Sequence, residues 1–164
     1  MSFNFFDPVN QEPATTDTEF GLCDDQNGTK AYSDRNCREK WIATVKNENR
    51  IPLIFTAIDN GVISGAEAEG RERCEGMLSS KDHLYFMELK HQKADWIQKA
   101  KAQLESTINI FIENHGKPQY KHKKAFACNK KHSKFRIIDN DENLRFFRTY
   151  GFRLDIQAEI IVVG

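Results

Sequence analysis

The stretch Leu84-Tyr-Phe-Met-Glu-Leu-Lys90 is the strongest indication of the fold in this sequence. It is apolar at almost every position before its final acid and base, which is typical of a strand buried on both faces. We therefore predict that it lies centrally in a sheet. Because side chains alternate between the two faces of a strand, Glu88 and Lys90 share the face of Phe86. An apolar surface thus ends in one carboxylate and one ammonium group.

Two amphipathic patterns predict helices. Residues 96–112 place their apolar side chains along one stripe, behind Asp95 as a capping residue and before Gly116 as a stop. An earlier pattern with apolar residues at i, i+4, i+5 and i+8 begins at Cys37, and Ser33 is placed to cap it. We therefore predict one short helix early in the chain and one long helix after the central strand.

Short apolar runs predict further strands and a third helix. The strands are expected at residues 51–58, 74–78, 125–128 and 153–163, and the helix at residues 143–149. No period persists through residues 1–32, which we predict to be an irregular lead-in docked by its aromatic side chains. This order predicts an α/β fold, with a mixed β-sheet flanked by α-helices, in one domain spanning residues 1–164.

The composition is that of an ordinary globular protein. The chain has 164 residues, 39% of them hydrophobic and 29% charged, which excludes the class of charge-rich disordered proteins. Its four cysteines have no metal-site or paired spacing, and we interpret them as reduced thiols. No apolar run is long enough to cross a bilayer, and the first residues do not resemble a secretion signal. We therefore expect a cytoplasmic protein with no membrane partner.

The positive charge is unevenly distributed, although the net charge is zero. Residues 115–138 contain eight Lys or Arg residues and no acid. Aromatic residues lie between these charges, and the mixture is suited to contact with phosphate and with bases. The alternative is a solvated face that balances the acidic N-terminal third. We predict nucleic-acid binding, with DNA as the favoured partner, through Lys117, Lys121, Lys123, Lys124, Lys130, Lys131, Lys134 and Arg136.

Glu75, Glu88 and Lys90 together predict a metal-dependent catalytic site. Charges at the edge of a core need partners, and Mg²⁺ binds carboxylate oxygens while keeping sites for water and phosphate. Glu75 lies on the strand before the central one and is expected to supply the second carboxylate. We expect Mg²⁺ or Mn²⁺ on Glu75 and Glu88, with Lys90 orienting water or stabilising charge on the phosphate.

At these residues the sequence resembles the PD-(D/E)xK nuclease superfamily. Glu75, a gap of twelve residues, and Glu88-x-Lys90 match its pattern, although the family commonly has Asp at the first position and Pro where Cys74 stands. The resemblance implies a restriction-endonuclease-like fold and Mg²⁺-dependent hydrolysis of DNA. It also implies that Gln103, on the following helix, faces the site and positions the lysine or the substrate.

By analogy, the resemblance further implies a role in bacterial defence or in a mobile element. Cutting both strands of a duplex with one site per chain would suggest a homodimer, and a larger defence complex is the alternative assembly.

Other interpretations of the same residues remain open. Glu88 and Lys90 could form an ordinary ion pair on a solvated strand end, and Gln103 could be a boundary residue of its helix. Asp59 is expected either in a turn before Asn60 or beside the site. If Glu88 and Lys90 are merely paired, the chain would be a non-catalytic nucleic-acid-binding or scaffolding subunit that keeps the fold. A third class is a protein-interaction module that uses the N-terminal aromatic residues.

Overall fold

A computed structural model describes residues 3–131 and 140–164 of the chain. The described residues form a mixed α/β structure, which confirms the predicted class. Its strands are β1 (Glu19–Cys23), β2 (Tyr32–Asp34), β3 (Ala43–Lys46), β4 (Ile54–Ala57), β5 (Gly76–Ser79), β6 (His83–Lys90), β7 (His122–Asn129), β8 (Arg153–Ile156) and β9 (Glu159–Ile161). Its α-helices are α1 (Ile97–His115) and α2 (Asn140–Tyr150).

The larger sheet has five strands in the order β4-β5-β6-β7-β8. Strands β4, β5 and β6 are antiparallel neighbours, whereas β6, β7 and β8 run parallel. The central place of β6 confirms the prediction from its apolar sequence, because all eight of its residues are buried. Helix α1 provides the crossover from β6 to β7 that two parallel neighbours require.

A smaller sheet, in the order β2-β1-β3-β9, covers one face of the larger one. Phe20 and Val45 from the smaller sheet share a core with Tyr85 and Met87 of β6. On the opposite face of β6, Phe86 belongs to a second core, built with the helices and with the N-terminal Phe3 and Phe5. The layers are therefore helices, five-stranded sheet and four-stranded sheet.

The N-terminal third differs from the sequence prediction. The prediction of a helix that begins at Cys37 is wrong, because β2, a 3-10 turn and β3 occupy this part of the chain. The lead-in is not irregular throughout, since β1 lies within it. Gly21 of β1 makes room for the Trp41 ring, whose Cγ would lie 2.0 Å from an added Cβ. The expected docking by aromatic residues is confirmed, since Phe3, Phe5 and Phe20 are buried.

Two predicted element ends are also corrected. Asp95 is not the N-cap of α1, because it adopts a left-handed φ of 56° and Trp96 occupies the cap position. The single terminal strand expected at residues 153–163 is two strands, β8 and β9, which belong to different sheets. The chain therefore passes from the larger sheet to the smaller one within two residues, Gln157 and Ala158.

Candidate active site at the end of the central strand

Strand β6 ends in a buried acid and a buried base. Glu88 is 1% exposed and Lys90 is 6% exposed. Because side chains alternate along β6, both continue the face on which Leu84 and Phe86 pack toward α1. Oε2 of Glu88 lies 3.2 Å from Nζ of Lys90. The two side chains therefore form an ion pair inside the protein and not on a solvated strand end.

Glu75 lies beside Glu88 across the antiparallel pair β5 and β6. Gly76 pairs with Met87, and the Glu75 N–H donates to the Met87 carbonyl at 3.2 Å. The paired register ends at Gly76 and Met87, so Glu75 lies directly beyond the last pair. The charge of the Glu88 carboxylate acts on Glu75, and the two side chains are therefore close to each other. The structure thus brings together Glu75, Glu88 and Lys90.

Burial changes the protonation of both glutamates. It raises the pKa of Glu75 well above its ordinary value, and the neighbouring charge of Glu88 raises this pKa further. Burial also raises the pKa of Glu88, although Lys90 opposes that shift. A cation that binds these carboxylates must displace any protons they hold. The two side chains are therefore suited to a ligand that supplies positive charge.

Two more acids reach this place, each from a different part of the chain. Asp24 follows β1 of the other sheet, and its side chain hydrogen-bonds Glu75 and contributes to the raised pKa of Glu75. The charge of Asp59 acts on both glutamates, so Asp59 lies beside the predicted site. Its own carboxylate accepts a 2.6 Å hydrogen bond from Nε of Arg73. No spacing along the sequence signals the position of Asp24.

Gln103 on α1 contacts the segment that leads into Glu75. Its Nε2 donates to the carbonyl of Arg73 at 3.4 Å. One turn further along α1, the Thr107 hydroxyl accepts a 2.8 Å hydrogen bond from the Cys74 N–H. Both contacts attach α1 to the backbone that leads into Glu75. The described side-chain hydrogen bond of Gln103 is made to Arg73 and not to Lys90.

Two buried oxygen atoms in this region have no hydrogen-bond partner among the described residues. They are Oε1 of Glu88 and Oε1 of Gln103. A buried acceptor left without a partner costs about 1–3 kcal/mol, more if it is charged. In native proteins such atoms call for an explanation, for example a bound water or ion. The Glu88 oxygen is therefore available to a ligand.

Glu75 and Glu88 are the side chains that could hold a divalent cation here. Within residues 3–131 and 140–164, no group of three or more His, Cys, Asp or Glu side chains is arranged to bind a metal ion. Mg²⁺ in phosphate-processing sites is usually held by one or two carboxylates, with waters and substrate phosphates as its other ligands. Two adjacent carboxylates with one unpartnered oxygen fit Mg²⁺ or Mn²⁺.

The predicted basic residues lie at two different ends of β7. Lys117, Lys121, Lys123 and Lys124 precede β7 or begin it, whereas Lys130 and Lys131 follow it. In the parallel pair of β6 and β7, His83 lies beside His122 and Lys90 lies beside Asn129. Lys130 and Lys131 therefore adjoin Glu75 and Glu88, called the acid pair below, whereas the four lysines at the start of β7 do not. Lys134 and Arg136 fall outside the described residues. The basic segment is therefore not one surface beside Glu88.

No family model matches the chain, and neither a curated protein nor a solved structure matches it. The similarity to PD-(D/E)xK nucleases therefore remains an interpretation of the residues themselves. No helix in the described part of the chain is both long enough and apolar enough to cross a membrane. What the protein does must accordingly be inferred from the buried side chains at the end of β6.

Proposed function

We propose that the chain is a metal-dependent nuclease that hydrolyses phosphodiester bonds of DNA. The observation that carries this proposal is the burial of Glu75 and Glu88 side by side next to Lys90, with one Glu88 oxygen unpartnered. Burying two acids against a single base lowers stability unless a ligand compensates for it. Such unfavourable placements are typical of functional sites.

The assignment to a restriction-endonuclease-like fold is part of the same proposal. The five-stranded sheet supports it because Glu88 lies near the end of β6, Glu75 directly precedes the neighbouring β5, and the element after β6 is α1, which bears Gln103. The acid pair also lies where the parallel strands β6 and β7 end, and ligands of α/β sheets commonly bind at the carboxyl ends of such strands.

Each residue has a separate role in the proposed reaction. Glu75 and Glu88 would hold Mg²⁺ or Mn²⁺, which when bound polarises the scissile phosphate and lowers the pKa of a nearby water. Lys90, kept in place by Glu88 at 3.2 Å, would stabilise negative charge that develops on the phosphate. Gln103 would act as a positioning residue, because it contacts the backbone directly before Cys74 and Glu75.

Cation binding can be tested without any cleavage. Calorimetric titration with Mn²⁺ should show one site per chain that is lost in Glu75→Gln and in Glu88→Gln. Because the pKa values of both glutamates are raised, Mn²⁺ binding should release protons and should tighten as the pH rises. Binding that is independent of pH, or that persists in both variants, would overturn the proposed site.

Cleavage is tested with plasmid and single-stranded DNA in Mg²⁺, Mn²⁺ or EDTA. Wild type should cut only with a metal, and Lys90→Ala should lower the rate by roughly a hundredfold or more. Glu72→Gln provides a matched control, because Glu72 is exposed and lies three residues before Glu75. Cleavage that survives both EDTA and the loss of Lys90 would remove this mechanism.

A non-catalytic nucleic-acid-binding subunit is the second candidate. The close ion pair between Glu88 and Lys90 favours it, since each charge already has a partner. DNA binding without cleavage under any metal condition would support this candidate over the nuclease. A role in bacterial defence or in a mobile element is an extension of the first candidate and is suggested by the resemblance alone.

A further inference from the structure

A basic cleft of about 520 Å³ opens at the end of the five-stranded sheet opposite to Glu88. Its walls are the start of β7, the end of α2 and the start of β8. The sequence brings four of its cations together in one segment, but α2 and β8 supply two more. The basic cleft is defined here by its six cationic residues, Lys117, Lys121, Lys123, Lys124, Arg148 and Arg153.

The charges of the basic cleft are almost uncompensated. Among the described residues, the one carboxylate within 4.0 Å of any of these six cations is that of Asp155, which lies 3.9 Å from Lys124. Burial and the charge of Lys117 both lower the pKa of Lys123. Clefts lined by charges of one sign concentrate the electrostatic potential. The cleft is therefore suited to an anion that carries several charges.

Aromatic side chains lie among these cations. The Phe147 ring is 43% exposed, and the guanidinium carbon of Arg153 lies 5.2 Å from its centroid. Tyr150 also lines the cleft. Proteins that bind single strands combine cations along the backbone with exposed rings on which bases stack. A free phosphate would use the cations alone, so the exposed Phe147 ring favours a nucleic acid strand.

We propose that the basic cleft binds the phosphates of a single nucleic acid strand, as a second contact remote from the acid pair. Six residue steps of β7, at about 3.3 Å each, separate Lys123 from Asn129, which lies beside Lys90. The two ends are thus about 20 Å apart, so a strand that contacts both must extend over several nucleotides.

This inference deepens the proposed nuclease function and rests on it for the identity of the substrate. Binding at the cleft requires neither metal nor cleavage, so the two proposals can fail separately. The measurement is fluorescence anisotropy of a labelled single-stranded 20-mer in EDTA. It compares wild type with Arg148→Ala/Arg153→Ala, in which both substituted residues are exposed. Lys40→Ala/Lys99→Ala is the matched control, because it removes two exposed cations outside the cleft.

The cleft variant should bind the 20-mer roughly tenfold more weakly at low salt. Its log–log dependence on salt should be shallower by about 1.4, because each lost phosphate contact on a single strand contributes about 0.7. The control should change neither quantity. A second variant, Lys117→Ala/Lys121→Ala, alters the segment before β7 and should show the same loss. If circular dichroism shows that the arginine variant is misfolded, binding by this lysine variant tests the inference in its place.

Unchanged binding by a folded cleft variant in EDTA would overturn the inference, whether or not the chain cleaves DNA. Tripolyphosphate serves as the alternative ligand in this experiment, because it carries phosphate charge but no bases. If it binds the cleft more tightly than the 20-mer does, the cleft is a site for free oligophosphates and the inference is wrong. If wild type cleaves DNA, the cleft variant should raise KM for a 20-mer but not for a dinucleotide, which is too short to reach both places, with kcat unchanged.

Discussion

Replacing Glu75 with glutamine should stabilise the folded protein at neutral pH while it removes the proposed cation site. The Glu75 side chain is 8% exposed and lies beside two other acids, Glu88 and Asp24. An amide keeps the size of this side chain and can donate a hydrogen bond to Asp24, but it carries no charge. The substitution therefore removes a buried ionisable group without removing the packing around it.

The sign and size of this effect follow from proton linkage. Burial raises the folded-state pKa of Glu75 above its ordinary value of 4.5. The stability that this group contributes is therefore fully present below the unfolded-state pKa and is lost as the pH rises toward the folded-state pKa. One proton changes the free energy of unfolding by up to about 1.4 kcal/mol per pH unit. The advantage of Glu75→Gln over wild type should grow by up to that amount per unit above about pH 5.

Urea unfolding in EDTA at several pH values measures this difference, with fluorescence of the buried Trp41 and Trp96 as the signal. The exposed control Glu72→Gln should stay within about 0.5 kcal/mol of wild type at every pH. Added Mn²⁺ should then stabilise wild type but not Glu75→Gln. If Glu75→Gln is destabilised equally at every pH, the carboxylate makes favourable structural contacts and the electrostatic reasoning is refuted.

Three further substitutions test the structure around this site. Lys90→Met should lower the free energy of unfolding by about 3–5 kcal/mol at neutral pH, because Glu88 loses its buried partner. The double variant Glu88→Gln/Lys90→Met should recover part of this loss. Equal losses of unfolding free energy in the single and the double variant, measured by urea unfolding, would contradict the reasoning. Gly21→Ala should lower the free energy of unfolding by about 1–3 kcal/mol, because its Cβ would overlap the Trp41 ring. Phe5→Ala should lower the free energy of unfolding by about 3–5 kcal/mol, because Phe5 is fully buried. A loss under about 1 kcal/mol in thermal unfolding would show that the N-terminal segment does not contribute to the core.

The elements that the sequence predicts correctly have long local signals. Strand β6 is buried along eight residues, and α1 repeats its apolar stripe over 19 residues. The segment after Cys37 is too short to distinguish a helix from a strand, because its apolar residues fit the helical period as well as the alternation of a strand. In the structure, Ala43 and Val45 are buried while Thr44 and Lys46 are half-buried, which is the period of a strand. Packing against the other strands of the smaller sheet decided between the two periods.

The candidate site was predictable to the extent that it depends on one strand. Alternation alone places Glu88 and Lys90 on one face, and the short connection between β5 and β6 brings Glu75, directly before β5, close to the end of β6. Asp24 could not be found in this way, because it arrives from the smaller sheet and its proximity depends on how the two sheets pack. The part of the site that local sequence misses is therefore the part that comes from tertiary structure.

The basic segment also shows that local sequence does not determine which residues lie together, because here sequence neighbours are separated in the structure. Residues 117–131 are continuous in sequence, yet β7 passes through them and carries their charges to two ends of one sheet. Lys130 stays near the acid pair, since its N–H donates to the Lys90 carbonyl at 3.0 Å, whereas Lys123 joins Arg148 and Arg153 in the basic cleft. A run of charge therefore indicates one binding surface only where no extended strand separates its members. Under the proposed function, a strand that contacts both places must span the length of β7, so the length dependence of binding and cleavage tests that proposal.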